Sequence, residues 1–288
     1  MRIVIVGAGG RLGAALMRAY REKFDVVAFN HSQLDLGKPD HIRSEIDNLG
    51  FDILINCAAF TNVDLCEKER NQAFAINADA PKLLAEVCAA KKAKLIHFST
   101  DYVFAGDKRE PYAEDDAALP ISAYGESKLR GEENVLAAGC NHLVLRVSWV
   151  FGPDRPSFID AMIKRAREEE QIDAIADKWS TPTYTSDIAE MLPRLFYVDA
   201  GVVHLTDSGQ CTWQEYAQHA LDCCAKAGVS LKATTVAPLK LAEMKNWVAR
   251  RPVHSVLSTA KYQALTGSAP RSWRDAVADY IERSYSKK

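Results

Sequence analysis

The sequence contains no long apolar run. A secretory signal needs roughly 7–15 apolar residues in a row and a membrane helix about 20. The apolar run Ile3–Val6 ends at Gly7, and no longer one follows it. We therefore expect a cytoplasmic protein without a membrane partner.

Paired cysteines are also missing. The seven cysteines are scattered and odd in number, and none forms a C-x-x-C unit. This spacing argues against a disulfide framework or a zinc site and favours reduced thiols. A chain of 288 residues is long enough to build a core without such cross-links.

Neither sign of charge dominates. The formal net charge is −2, so the total charge gives no reason to expect a nucleic-acid partner. Nearly half of the residues are apolar, which is typical of globular domains. The sequence leaves the oligomeric state open, a homodimer included.

Short apolar runs alternate with helical patterns in the first half of the chain. This alternation predicts βαβ units, and hence an α/β fold with a Rossmann-type doubly wound parallel sheet. The predicted strands are Ile3–Val6, Val26–Phe29, Ile53–Asn56, Leu95–Phe98 and Leu143–Val147. The predicted helices are Leu12–Tyr20, Glu67–Ile76, Pro81–Lys91 and Ala123–Ala138.

The regular alternation of predicted strands and helices ends after about Val150. Helices are predicted at Phe158–Glu170 and Trp213–Ala227, with a strand at Gly201–Leu205, but clean βα repeats are fewer. We predict an NAD(P)-binding Rossmann domain over residues 1–150. Residues 151–288 are predicted to form mainly a smaller C-terminal α/β substrate-binding lobe, with segments that return to the first domain.

A glycine loop follows the first predicted strand. Gly7, Gly10 and Gly13 have the spacing G-x-x-G-x-x-G directly before a predicted helix. Glycines there permit a tight turn, close approach of a pyrophosphate and close helix–strand packing, and the helix N-terminus favours phosphate. We predict a dinucleotide site; the alternative is a plain glycine-rich turn.

The end of the second predicted strand bears on the choice of cofactor. It reads Phe29-Asn30-His31-Ser32, without the carboxylate that would bind a ribose 2′-hydroxyl. Arg11 and His31 are candidates to face a 2′-phosphate, so NADPH is predicted, with NADH as the alternative. If the interpretation is wrong, both side chains are simply exposed to solvent.

Tyr124 and Lys128 share one face of a predicted helix. A nearby ammonium lowers a phenol pKa from about 10 toward neutrality, and such a phenol protonates a carbonyl oxygen. The strand that ends in Ser99-Thr100 precedes this helix, and its hydroxyls are candidates to polarise the same carbonyl.

The order of glycine loop, Ser-Thr and Tyr-x-x-x-Lys resembles the extended short-chain dehydrogenase/reductase superfamily. Within it, Ser99-Thr100-Asp101-Tyr102-Val103-Phe104 closely resembles a segment of the dTDP-4-dehydrorhamnose reductase family. Nearly the whole chain takes part in the resemblance. Further similar segments are Leu34-Asp35-Leu36, Asn56–Asp64, Arg146–Gly152, Trp179–Thr183 and Arg251–Leu257.

The resemblance implies NAD(P)H-dependent reduction of the 4-keto group of a nucleotide-linked deoxy sugar, dTDP-4-dehydro-β-L-rhamnose to dTDP-L-rhamnose. It makes Thr100, Tyr124 and Lys128 the catalytic residues, and Thr100, Asp101 and Trp149 the substrate contacts. For Trp149, core or lid packing is the alternative. The cofactor contacts would be Gly7, Gly10, Arg11, Leu12, Gly13, Asp35, Leu36, Ala59, Phe60, Thr61, Tyr124 and Lys128.

The chain departs from the family at several positions. Pro156-Ser157-Phe158 stands where Asn-Asn-Phe is frequent, and Ser180-Thr181 where a glycine precedes Pro-Thr. Some members carry a metal-binding carboxylate where this chain has Ala14-Ala15, so no metal is predicted. Two alternatives remain: a reductase or epimerase of another sugar nucleotide, and a non-catalytic regulatory subunit like the methionine adenosyltransferase β subunit.

Overall fold

A computed structural model describes residues 1–139 and 141–286. The strands it contains are β1 (Arg2–Val6), β2 (Asp25–Phe29), β3 (Ile53–Asn56), β4 (Lys94–Thr100), β5 (Leu143–Val147), β6 (Val150–Phe151), β7 (Ile172–Ile175), β8 (Trp179–Ser180), β9 (Thr183–Tyr184), β10 (Gly201–His204), β11 (Cys211–Thr212) and β12 (Val236–Leu239).

Helices cover both faces of the sheet and build most of the C-terminal half. The α-helices are α1 (Arg11–Tyr20), α2 (Pro39–Ile46), α3 (Val63–Lys68), α4 (Arg70–Phe74), α5 (Ala80–Ala90), α6 (Ala123–Ala137), α7 (Phe158–Glu168), α8 (Thr185–Met191), α9 (Trp213–Lys226), α10 (Ala260–Thr266) and α11 (Trp273–Tyr285). None of the helices described is long and apolar enough to cross a bilayer.

Six parallel strands form the central sheet in the order β10-β5-β4-β3-β1-β2. Every residue of β3 and β4 is buried, as expected for parallel strands covered on both faces, and this explains the apolar run Ile53–Ile55 of β3. The strand order reverses between β1 and β3. The predicted α/β fold class with a doubly wound parallel sheet is therefore confirmed. In such sheets, ligands bind in the crevice at the carboxyl ends of the strands where the order reverses.

Three large apolar cores, among the five buried clusters of the described residues, hold the elements in place. Leu16 of α1 and Ile188 of α8 pack on one face of the sheet, and Leu84 of α5 and Val135 of α6 on the other. The third core lies between α7, α9 and α11 in the C-terminal half. Strand β10 pairs with β5 although it lies beyond residue 150. The domain division at that residue stays a prediction.

The structure differs from the predicted elements in the 63–79 region. One helix was predicted over Glu67–Ile76, but α3 and α4 are separate and a π-helix follows at Ala75–Asp79. Helices α2, α8 and α10 were not predicted. Each has only seven or eight residues, too few for the apolar periodicity to identify a helix from sequence.

Candidate functional site

The glycine loop turns at the carboxyl end of β1. Gly7 has φ +85°, a left-handed conformation that favours glycine, and a Cβ there would lie 2.7 Å from the Ala58 nitrogen. A Cβ on Gly13 would lie 2.3 Å from the Gly7 carbonyl oxygen. Residues larger than glycine therefore do not fit at positions 7 and 13, where β1 packs closely against α1. The N-terminus of α1 faces the crevice.

A cavity of about 1010 Å³ lies above this loop. It runs along the carboxyl ends of β1, β3 and β4 and extends to the start of β6. Gly13 is the one predicted site residue that does not line it, because it is buried below the loop against Gly7. The predicted residues that do line it are Gly7, Gly10, Arg11, Leu12, Asp35, Leu36, Ala59, Phe60, Thr61, Thr100, Asp101, Tyr124, Lys128 and Trp149.

Backbone carbonyl groups hold the guanidinium of Arg11, which was predicted to face a 2′-phosphate. Its guanidinium donates to the carbonyl oxygens of Val150, Arg155 and Pro156, at 3.0, 3.2 and 2.6 Å. Arg155 in turn donates to the carbonyl oxygen of Gly9 at 2.9 Å and lines the cavity. Arg11 thus fastens the 150–156 segment to the glycine loop, a role that the sequence did not indicate.

The adenosine side of the predicted dinucleotide site lies after β2. The Asp35 carboxylate accepts the Gly37 amide at 2.9 Å, and this bond is the main reason its pKa is lowered. The exposed His31 side chain also lines the cavity. His31 thus lies at the same rim as the Asp35 carboxylate, and its contact with a 2′-phosphate stays a prediction.

Asp101 is a buried carboxylate enclosed by hydroxyl groups. Its Oδ2 lies 3.0, 3.1 and 2.6 Å from the hydroxyls of Ser148, Ser180 and Ser255, and its Oδ1 accepts from Thr100 at 3.1 Å. Ser180, which replaces a glycine of the family pattern, is therefore part of the support for Asp101. The Thr100 hydroxyl must turn away from Asp101 before it donates to a substrate oxygen.

The pKa of Tyr124 does not follow the prediction. Burial raises this pKa above its usual value, and Lys128 is not among the groups that lower it. Lys128 instead directs its amine to the Phe98 carbonyl oxygen at 2.7 Å and to His97 Nε2 at 3.1 Å. Burial also lowers the pKa of Lys128 to about 8, so its positive charge is itself disfavoured in this environment.

Trp149 takes part in both of the arrangements considered for it. It lines the cavity, and it also stacks on Phe158 with ring centroids 5.6 Å apart and contacts Trp213 and Tyr216. Its φ of +48° is a left-handed conformation that is uncommon for a bulky residue. The aromatic cluster of the C-terminal core therefore holds this side chain at the cavity wall.

Asn77 is a supporting residue that sequence reasoning missed. It lies in the π-helix, accepts the Phe60 amide at 2.8 Å, and donates to the Phe60 carbonyl and the Ser127 hydroxyl, both at 3.0 Å. It ties the loop after β3 to α6, which carries Tyr124. A π-helix is a frequent sign of a functional site, but no sequence pattern announces it.

Lys178 is a second buried lysine, and Asp101 is among the charged groups that act on its pKa. Its amine lies 5.3 Å from the centre of the Tyr102 ring, and burial lowers its pKa to about 8. An unfolded chain keeps this lysine protonated up to a pH of about 10.4. The unfolded state therefore binds more protons than the folded state between these pKa values, and this lysine makes the free energy of unfolding rise with pH there.

We expect Lys178→Met to remove that rise. Between about pH 7 and about pH 10, the free energy of unfolding of the variant should fall relative to wild type by about 2–3 kcal/mol. Urea denaturation at both pH values measures the difference, with Lys164→Met on the exposed face of α7 as the control. A difference between variant and wild type that is the same at both pH values would contradict the shifted pKa.

The cavity is suited to a dinucleotide on chemical grounds. The N-cap of α1 is Gly10, which offers no side-chain acceptor to the first amides of the helix. The Ser99 hydroxyl, also on the cavity wall, is buried and has no hydrogen-bond partner among the residues that the structure describes. A ligand with phosphate oxygens at one end and hydroxyl groups at the other would satisfy both.

Comparison with known proteins agrees with this geometry. A family model described as RmlD substrate binding domain matches residues 1–286. The dTDP-4-dehydrorhamnose reductase of Mycolicibacterium smegmatis is 38% identical over 97% of this chain and 85% of its own length. A probable dTDP-4,6-dihydroxy-2-methyloxan-3-one 4-ketoreductase of Streptomyces antibioticus is 38% identical over 97% of this chain and 94% of its own. Among solved structures, the dTDP-4-dehydrorhamnose reductase of Bacillus anthracis in complex with NADP superposes with a TM-score of 0.91, at 31% identity over 98% of this chain and 99% of that one.

Proposed function

The chain belongs to the RmlD substrate-binding-domain family, and from that premise we propose that it is an NAD(P)H-dependent reductase of the 4-keto group of a dTDP-linked deoxy sugar. The preferred substrate is dTDP-4-dehydro-β-L-rhamnose, with dTDP-L-rhamnose as product. One observation carries the proposal: Thr100, Tyr124 and Lys128 line the same cavity as the glycine loop.

The chain's own residues are suited to hold the cofactor. The N-terminus of α1 and Gly10 would receive the pyrophosphate, Asp35 and Leu36 the adenosine, and Lys128 the hydroxyls of the nicotinamide ribose. A bound reduced nicotinamide supplies the hydride for the carbonyl carbon. NADPH is the preferred form in this proposal, and His31 at the rim is the residue proposed to face its 2′-phosphate.

Tyr124 provides the proton for the developing alkoxide. Its raised pKa keeps the phenol protonated at neutral pH, the form in which it acts as a general acid. Thr100 donates a second hydrogen bond to the same oxygen once its hydroxyl turns away from Asp101. Trp149, Val150 and Arg155 form the cavity wall at this end.

A different dTDP-linked keto sugar is the second candidate. The Streptomyces antibioticus relative, named as a probable 4-ketoreductase of another dTDP sugar, is as similar in identity as the Mycolicibacterium smegmatis enzyme. The Ser180 replacement lies on the substrate side and is buried against Asp101. Both candidates share the reaction and differ in the sugar.

The first experiment measures oxidation of NADPH and of NADH with enzymatically prepared dTDP-4-dehydrorhamnose. Turnover with this sugar supports the preferred substrate and shows the coenzyme preference. Turnover only with another dTDP-4-keto sugar favours the second candidate. Tight NADPH binding without turnover on any keto sugar, together with co-purification of a methionine adenosyltransferase, would overturn the reductase in favour of a regulatory subunit.

Location and assembly complete the proposal. The scattered cysteine pattern supports a cytoplasmic location. The nucleotide sugar is the proposed small-molecule partner. Size-exclusion chromatography with light scattering decides between a monomer and a homodimer.

A further inference from the structure

Three buried side chains form a line beneath the cavity. Asn56 at the end of β3 places its Nδ2 3.1 Å from His97 Nδ1, and His97 of β4 places its Nε2 3.1 Å from the amine of Lys128. Asn56 and His97 have no solvent exposure and Lys128 has 1%. With so little exposure to solvent, their hydrogen bonds are made to one another and to neighbouring backbone groups.

The orientation of the Asn56 amide is determined by its other contact. Asn56 Oδ1 lies 3.1 Å from the backbone nitrogen of Ala58. A backbone amide only donates, so the Asn56 atom that faces it must be the oxygen. The Asn56 NH2 group is consequently the one that faces His97, and His97 Nδ1 must accept from it.

The tautomer of His97 follows from this contact. A neutral imidazole carries one hydrogen, and with Nδ1 as acceptor that hydrogen is on Nε2, which faces Lys128. An ammonium group has no lone pair to accept it, whereas a neutral amine has one and still donates to the Phe98 carbonyl oxygen. We propose that Asn56 and His97 are positioning residues that destabilise the ammonium form of Lys128, and so favour its neutral amine, in the cofactor-free protein.

The electrostatics around Lys128 agree with the hydrogen-bond pattern. Burial lowers the pKa of Lys128, and burial together with Lys128 lowers the pKa of His97 well below its usual value. Glu132 raises the pKa of Lys128, but its carboxylate is engaged with Arg146. The elements packed against α6 carry further titratable groups, and of all of them His97 contacts the Lys128 amine and Glu132 raises its pKa. These groups are Lys94 and His97 on β4, Asp101 and Tyr102 after β4, Arg146 on β5, Asp64, Cys66, Glu67 and Lys68 on α3, Arg70 on α4, Asp79 in the π-helix, Lys82, Glu86 and Cys88 on α5, and Tyr124, Glu126, Arg130, Glu132 and Glu133 on α6 itself.

The consequence for NADPH binding rests on the proposed function, in which Lys128 contacts the cofactor. At a pH above its pKa, Lys128 is neutral and has to gain a proton to become the ammonium that the predicted mechanism uses, and NADPH is anionic and favours that charge. Binding of NADPH to the free protein would therefore be coupled to proton uptake by Lys128. The affinity for NADPH should fall as the pH rises above the pKa of Lys128, which is about 8.

The tautomer is measurable without any activity. In the cofactor-free protein labelled with ¹⁵N-histidine, the His97 signals are identified by their loss in His97→Gln. At neutral pH we expect a protonated Nε2 and an unprotonated Nδ1. The inference is overturned if Nδ1 carries the hydrogen, because Nε2 would then accept from an ammonium. This NMR measurement tests the inference even if the protein reduces no sugar.

Asn56→Asp should move the imidazole hydrogen of His97 from Nε2 to Nδ1. A carboxylate of the same shape accepts from Ala58 and from His97 Nδ1–H together, which moves the imidazole hydrogen to Nδ1 and frees Nε2 to accept from Lys128. We expect the ¹⁵N spectrum to show that tautomer. The pH at which NADPH affinity declines should rise by at least about one unit, a tenfold change in the protonation equilibrium.

His142→Gln is the matched control. His142 is also buried and lies between two backbone groups, the Leu95 amide and the Ala85 carbonyl, without contact to Lys128. Its replacement should leave unchanged the pH at which NADPH affinity declines. If Asn56→Asp does not fold, His97→Gln takes its place, because the glutamine carbonyl can accept from the ammonium. The inference is overturned if NADPH affinity declines at the wild-type pH in a folded Asn56→Asp or His97→Gln protein.

Discussion

Tyr124→Phe is expected to lower kcat for keto-sugar reduction by roughly 10²–10⁴-fold while NADPH still binds. The substitution removes only the phenol oxygen. The ring keeps its edge-on packing against Tyr102, with centroids 5.8 Å apart, so the helix and the cavity wall stay in place. The alkoxide that forms on the sugar then has no general acid within reach, because the Thr100 hydroxyl donates a hydrogen bond but does not release its proton at neutral pH.

Steady-state rates with the keto sugar and NADPH titration by fluorescence separate the two effects. Tyr102→Phe is a suitable control, since it removes a neighbouring phenol oxygen from a residue that does not line the cavity. Its kcat should stay within a few-fold of wild type. Near-full activity of Tyr124→Phe would show that another group delivers the proton.

Glu132→Ala is expected to lower the free energy of unfolding by about 3–5 kcal/mol. Glu132 on α6 forms a two-pronged ion pair with Arg146 on β5, with Oε1 3.0 Å from Nε and Oε2 2.7 Å from Nη2. The two side chains are only 3% and 5% exposed. Removing the carboxylate leaves the guanidinium buried, with the face of the Phe104 ring 4.9 Å away as its remaining favourable neighbour.

The neighbouring residue provides the comparison. Glu133 on the same helix pairs with Arg130, but both side chains are more than half exposed, and such pairs contribute about 0–1 kcal/mol. Glu133→Ala should therefore change the free energy of unfolding little, as measured by urea denaturation at neutral pH. Equal losses in the two variants would contradict the role assigned to the buried pair.

The sequence determined the features that depend on local pattern. Runs such as Ile3–Val6 are apolar throughout because both faces of a parallel strand are covered, and the glycine spacing after it predicted a tight turn between strand and helix. The i, i+4 spacing of Tyr124 and Lys128 fixed their common helix face. These patterns were sufficient for the fold class, and the family comparison agrees with them.

Only the tertiary structure decided how the site residues are connected. Arg11 binds carbonyl groups of the 150–156 segment, and Asp101 is supported by Ser180 and Ser255, all far apart in the chain. The Tyr124 pKa was predicted in the wrong direction because spacing on a helix says nothing of burial. Whether a lysine is charged depends on solvent exclusion and on which atoms of distant strands face it, and those are properties of the packed molecule alone.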